Sequence, residues 1–149
     1  MYLVHEPRED VIGLPDKPYD IPLAISDAAF QANGDLSSLQ GNVMNFFGDI
    51  ILVNGQPWPY FEVEPRKYRF RFYDISLSRP YDIQFVDESG SAIEVQVVAS
   101  DAGLFEYPVS TTDVLISMGE RYEVVIDFAA YKGSNISLNN ILHYDYVPE

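Results

Sequence analysis

The chain holds two histidines, His5 and His143, and no cysteine. A blue-copper site takes two His and one Cys, and zinc sites need clustered His, Cys or carboxylate donors. Two histidines this far apart in sequence assemble neither. Without cysteine there is no disulfide and no thiolate nucleophile. A serine nucleophile needs a base and an orienting acid, yet no Gly-x-Ser-x-Gly motif occurs and neither histidine stands in such a context. Glu62 and Glu64 share a face by period two if they lie on a strand. Paired carboxylates serve glycoside hydrolysis, but the same spacing describes two solvent-facing acids. Asp87-Glu88-Ser89-Gly90 lacks the alternating acids of a calcium loop and fits a hairpin turn. Glycine-rich phosphate loops are absent. Residue types and spacing therefore assign no catalytic residue and no metal ligand.

Three features bear on recognition. Trp58 lies between Pro57 and Pro59, as a platform for a sugar or a wedge against another domain. Lys67, Arg69 and Arg71 make a basic stripe whose expected partners are local acids. Phe46-Phe47 before Gly48 is a loop aromatic pair that either closes a core or rims a pocket. The overall charge sets further bounds. Nine basic residues against 23 acidic ones leave −14, which repels phosphate backbones and anionic membranes. The charge argues against nucleic acid as a partner, and no apolar stretch approaches the roughly 18 residues of a membrane span.

These residues must be positioned by short strands. The 149 residues suit one domain, and 47% are hydrophobic, enough for a core. Alternating runs predict strands at 21–25, 49–53, 60–63, 67–73, 81–86, 93–97, 114–117 and 122–128, with a weaker one at 136–139. Pro22 argues for an edge or strand start, and Asn54-Gly55 is a tight-turn signal. In 67–73, Tyr68, Phe70 and Phe72 point one way and Lys67, Arg69 and Arg71 the other. A single helical turn fits 129–132. Residues 34–41 read as a loop. His5 to Tyr19, with three prolines and several charges, reads as a linker or extended arm. The spacing is that of an all-β sandwich.

Several segments then add up: Tyr19-Asp20-Ile21-Pro22-Leu23 running into Ile25-Ser26-Asp27, Gly48-Asp49-Ile50-Ile51-Leu52-Val53-Asn54-Gly55, Val63-Glu64-Pro65-Arg66-Lys67-Tyr68-Arg69-Phe70-Arg71-Phe72, Ser78-Arg79, Val98-Ala99-Ser100-Asp101-Ala102-Gly103-Leu104, and Gly119-Glu120-Arg121-Tyr122 into Val124-Val125-Ile126-Asp127-Phe128. Their order and spacing, from Tyr2 to about Asn140, resemble the second domain of a three-domain multicopper oxidase. The fungal bilirubin oxidases and the bacterial spore-coat laccases are the nearest in look. The resemblance implies an all-β, cupredoxin-like Greek-key β-sandwich with little or no helix. It implies that copper belongs to the parent enzyme, in the two flanking domains, and that this chain carries no cofactor and no catalytic residue. Its partners would be those flanking cupredoxin domains. The parent would oxidise bilirubin or phenols one electron at a time and reduce dioxygen to water.

The resemblance also divides the chain. Residues 1–18 correspond to the exit arm of a preceding cupredoxin domain, with His5 matching a non-ligand histidine and Glu6 standing where Asp is usual. Residues 19–149 form the cupredoxin-like domain, with its last apolar strand missing after Tyr146-Val147-Pro148-Glu149. An open sheet edge would then favour self-association. Asn45, Phe46 and Phe47 fall in one loop that approaches the family's substrate pocket, and His143 and Tyr144 in another, so these five are the candidate pocket rim. Asn135-Ile136-Ser137 is a candidate glycosylation sequon, relevant if the chain is extracellular, as the resemblance to fungal oxidases implies. Two alternatives remain: a free-standing sandwich binding carbohydrate or protein through Trp58, and an enzyme in its own right.

Overall fold

The structure, a computed structural model, describes residues 7–37 and 46–142. A short helix, α1 (Pro7–Ile12), precedes ten strands: β1 (Asp20–Ala28), β2 (Ile50–Val53), β3 (Gln56–Pro57), β4 (Lys67–Asp74), β5 (Tyr81–Val86), β6 (Val95–Ser100), β7 (Gly103–Thr111), β8 (Val114–Ile116), β9 (Arg121–Asp127) and β10 (Ser137–Asn140). A 3-10 turn at Phe128–Tyr131 occupies the expected helical turn. Seven strands form one sheet in the order β3-β2-β1-β4-β9-β6-β7, and three form the other, β10-β5-β8. β1 and β4 are parallel, and the other pairings are antiparallel. This is the all-β sandwich that the strand spacing predicts, in the Greek-key-like, cupredoxin-like form that the resemblance implies.

Strand alternation builds the core. Tyr68, Phe70 and Phe72 of β4 are buried against Tyr81, Ile83 and Phe85 of β5, Val124 and Ile126 of β9, and Val114 and Ile116 of β8. Aromatic rings join the two sheets: Phe70 and Phe72 lie 5.9 and 6.3 Å from Phe85 between centroids. Such spacings add edge and offset attraction to the area buried.

The opposite face of β4 is buried as well. Arg69 and Arg71 are only 2% and 6% exposed. Arg71 grips Asp20 of β1 with Nε and Nη2, at 2.7 and 2.8 Å, and donates through Nη1 to Glu123 of β9. Arg69 donates to Glu123 through Nε at 2.8 Å, and through Nη1 to Glu9 of α1 at 2.6 Å. The expected pairing of the arginines with local acids is therefore present, while Lys67 stays exposed. Burial works against the Arg71 charge, but the hydrogen bond to Asp20 and the nearby Glu123 and Glu9 outweigh it and raise its pKa. An unpaired charge here would be costly, so these acids are a condition for burying the second face.

Four features differ from the sequence reading. Residues 7–12 form a helix where a linker or extended arm is expected. Pro7 suits a first helical position, and Glu9 ties the turn to Arg69. The strand expected at 60–63 does not form. Trp58 takes a left-handed φ of 39° between two prolines, which turns the chain away from the sheet edge after β3. β7 is a strand the pattern does not announce. Its register with β6 shifts between Val97 and Ala99, and Pro108 falls in that irregular stretch at the sheet's outer edge, where proline is tolerated. β1 is an interior strand, although β2 covers only Ile25–Ala28. Beside the uncovered half, Asn54 substitutes for a neighbour: its side chain donates to the Pro22 carbonyl at 3.0 Å and accepts from Ala24 N–H at 2.9 Å. Asn54 and Gly55 themselves form the expected tight turn, with φ of 50° and 79°.

Arg71→Met is expected to destabilise the chain by about 3–5 kcal/mol, because it leaves Asp20 buried without its cation. Urea unfolding followed by intrinsic fluorescence measures this. A loss below about 1 kcal/mol, the range of an exposed ion pair, would contradict the description of this face.

Candidate functional site

β1 and β4 run in parallel and end together. The segments that follow them, and the turn between β8 and β9, meet at that end of the sandwich. Gly119 N–H donates to the Asp74 carbonyl at 2.8 Å, tying this turn to the end of β4. Phe30, Leu36, Ile75, Leu77 and Met118 are exposed on these segments.

Phe46 and Phe47 are held at this end, half-buried. The Asp27 side chain, fully buried at the end of β1, accepts through Oδ2 from Gly48 N–H at 2.7 Å and from Arg79 Nε at 2.9 Å. Arg79 Nη2 returns a hydrogen bond to the Gly48 carbonyl at 2.7 Å. Its guanidinium carbon lies 5.3 Å from the Phe47 ring centroid, within cation–π range. Phe46 N–H donates to Ser78 Oγ at 3.0 Å. At position 48 a Cβ would stand 2.4 Å from the Ala28 backbone, so only glycine permits this approach.

Behind the clamp lies a second polar group. Asp74 is fully buried; its Oδ1 accepts from Ser76 N–H at 2.8 Å, and Ser76 Oγ lies 2.8 Å from Tyr81 Oη. Asp27 Oδ1 and Asp74 Oδ2 are buried without a hydrogen-bond partner. Burial raises the Asp74 pKa, opposed by its Ser76 hydrogen bonds and reinforced by Asp27 and Glu120. Burial likewise pushes the Tyr81 hydroxyl up to about 12, with Asp27 and Asp74 adding to the effect.

The other candidate residues are separated from this end or hold structural roles. Asn45, His143 and Tyr144 lie outside the described residues, as does His5. β10 nevertheless runs toward the clamp: Asn140 pairs with Ile83, and Ile141 N–H donates to the Asp82 carbonyl at 2.9 Å. Glu62 and Glu64 lie on irregular chain, so they share no strand face. Asp87 closes its turn by accepting from Ser89 and Ser91 N–H at 2.8 and 2.9 Å. Trp58 is exposed at the far edge of the large sheet. Asn135 is exposed, and its side chain donates to Glu88 at 2.9 Å. Asp27 and Arg79 carry no functional assignment in the sequence reading. In the sequence they appear only within the runs Ile25-Ser26-Asp27 and Ser78-Arg79 that carry the family resemblance.

Among the described residues no group of three or more His, Cys, Asp or Glu side chains is placed to hold a metal ion. The chain has no Cys, and the described residues include no His, so among the described residues the donors do not fit a copper centre. No described helix is long and apolar enough to cross a membrane.

Residues 27–139 match the multicopper oxidase family. The chain belongs to that family. A bilirubin oxidase of Albifimbria verrucaria is 45% identical to this multicopper oxidase segment over 145 residues, 95% of the chain and 25% of that protein. A laccase of Bacillus subtilis is 40% identical over 151 residues, 93% of the chain and 29% of that protein. A solved multicopper oxidase of Aquifex aeolicus superposes with a TM-score of 0.75 at 33% identity, covering 83% of this chain and 27% of that one. The chain thus spans about a quarter of the length of the curated relatives it matches.

The raised Asp74 pKa has a stability consequence. The folded state holds this proton more tightly than the unfolded chain, so stability falls as pH rises from about 4 through the folded value. Asp74→Asn is expected to flatten that fall and to raise the neutral-pH melting temperature. Thermal melts from pH 4 to 7 check this; a parallel downward shift of the variant at every pH would contradict it.

Proposed function

We propose that the chain is the middle of three cupredoxin-like domains in a bilirubin oxidase- or laccase-like multicopper oxidase. It binds no copper, holds the copper-bearing domains in register, and forms part of the substrate pocket wall. The parent couples one-electron oxidation of bilirubin or phenols to reduction of dioxygen to water. The observation that carries this reading is the clamped Phe46-Phe47 loop, on an end that also exposes Phe30, Leu77 and Met118 and toward which β10 leads. Two half-buried aromatic residues whose backbone is held by side-chain hydrogen bonds suit a pocket wall, where apolar lining carries most of the contact with an aromatic substrate. In this reading residues 1–18 are the exit arm of the preceding domain, and Glu9 anchors that arm.

The domain boundaries have their own support. The three-stranded sheet is too narrow to cover the larger one, leaving a groove of about 1500 Å³ lined by Ile21, Leu23, Ile51, Val53, Phe61 and Ile136 among others. A neighbouring segment of the parent packed against β10 would cover it, and β10 as an edge of the smaller sheet favours self-association of the chain alone. An extracellular parent also makes the exposed Asn135 available for glycosylation.

In the parent oxidase, Phe46→Ala is expected to change KM for a bulky tetrapyrrole or phenol several-fold, by about 1 kcal/mol of lost apolar contact, with the copper content kept. Steady-state kinetics with metal analysis reads both, and unchanged KM removes the pocket-wall assignment. Size-exclusion chromatography of the chain alone should show self-association rising with concentration; a monomer throughout the range would count against the open edge.

A further inference from the structure

We propose that Asp27 and Arg79 are positioning residues that set the conformation of Phe46 and Phe47, and with it the width of the substrate opening. The inference rests on the pocket-wall reading above and names the device that makes the wall rigid. Three consecutive backbone positions are involved. Phe46 is held at its N–H by Ser78, Phe47 packs on the Arg79 guanidinium, and Gly48 is held at both its N–H and its carbonyl. The clamp joins the end of β1 to the loop between β4 and β5, two separate supports for one short loop.

The chemistry requires arginine. One edge of the guanidinium serves the Asp27 carboxylate through Nε while Nη2 reaches the Gly48 carbonyl. A planar fork makes both contacts at once and still offers a flat face to Phe47. A lysine ammonium supplies the charge without the fork or the face. Asp27 in turn serves two donors with one oxygen, Oδ2, so the Gly48 amide and the arginine are held relative to each other. The Asp27 side chain is fully buried and Arg79 is its ion-pair partner, so losing either residue leaves the other without that partner. Gly48 completes the device, since no larger residue allows the loop to lie against the Ala28 backbone.

Arg79→Lys is the informative variant, because it keeps the charge that Asp27 needs. In the parent oxidase it is expected to raise KM about ten-fold for a bulky planar donor and by a smaller factor for a small phenol. In the same protein, the amides of Phe46 and Gly48 should exchange with deuterium about ten-fold faster, as their loop loses a hydrogen bond. Phe47→Ala is the control for the wall itself. If Phe47→Ala shifts KM for the bulky donor while Arg79→Lys leaves both KM and amide exchange unchanged, the wall stands and the clamp is overturned. If Arg79→Lys moves KM equally for both donors, the clamp does not set the opening and the proposal fails. If neither variant shifts KM, the pocket-wall reading fails and takes the proposal with it.

Discussion

β4 has almost no solvent face, and this constraint organises the domain. Its aromatic side packs between the sheets and its arginine side is covered in turn, so every neighbour must satisfy one face or the other. Two buried guanidinium groups need carboxylates at fixed positions, and these come from three elements: Glu9 of α1, Asp20 of β1 and Glu123 of β9. Buried ion pairs add little net stability compared with apolar packing, but breaking them is expensive. Their effect is therefore selective. They penalise any arrangement in which β1, β9 or the N-terminal turn slips out of place.

What was legible in the sequence follows from range. The alternation at 67–73 and the Asn54-Gly55 turn depend on residues within a few positions, and both are found as read. The pairing of Arg69 and Arg71 with acids was expected, but the identity of the acids was not, because Glu9 is 60 positions from Arg69 and Glu123 is 54. Residues 60–63 have strand-forming side chains but no strand partner, since backbone geometry at Trp58 had already turned the chain away. β7 carries the opposite lesson. Pro108 disguises a strand whose outer-edge position tolerates it. The helix at 7–12 is under two turns long, too short for periodicity, and tertiary contacts stabilise such turns more than propensity does.

The candidate site divides in the same way. Phe46 and Phe47 stood out as an aromatic pair, and the family resemblance gave them a place. Their supports were not readable, because Asp27 and Arg79 lie 52 positions apart and only the parallel run of β1 and β4 brings them together. The fold contributes by placement: it brings the Asp27 carboxylate, the Arg79 guanidinium and the Gly48 backbone to one end of the sandwich.

The close approach of Gly48 to Ala28 has a consequence for the length of the loop between them. The chain leaves the sheet at Ala28 and returns to the same point at Gly48, so the segment between them is closed at its neck. Doubling the length of a closed loop costs only about 0.6 kcal/mol of closure entropy, and the sheet does not register the change. The closure term therefore changes little with the length of the chain between Ala28 and Gly48. The neck fixes the last residues of the loop against the sheet, which separates their position from the length of the chain before them.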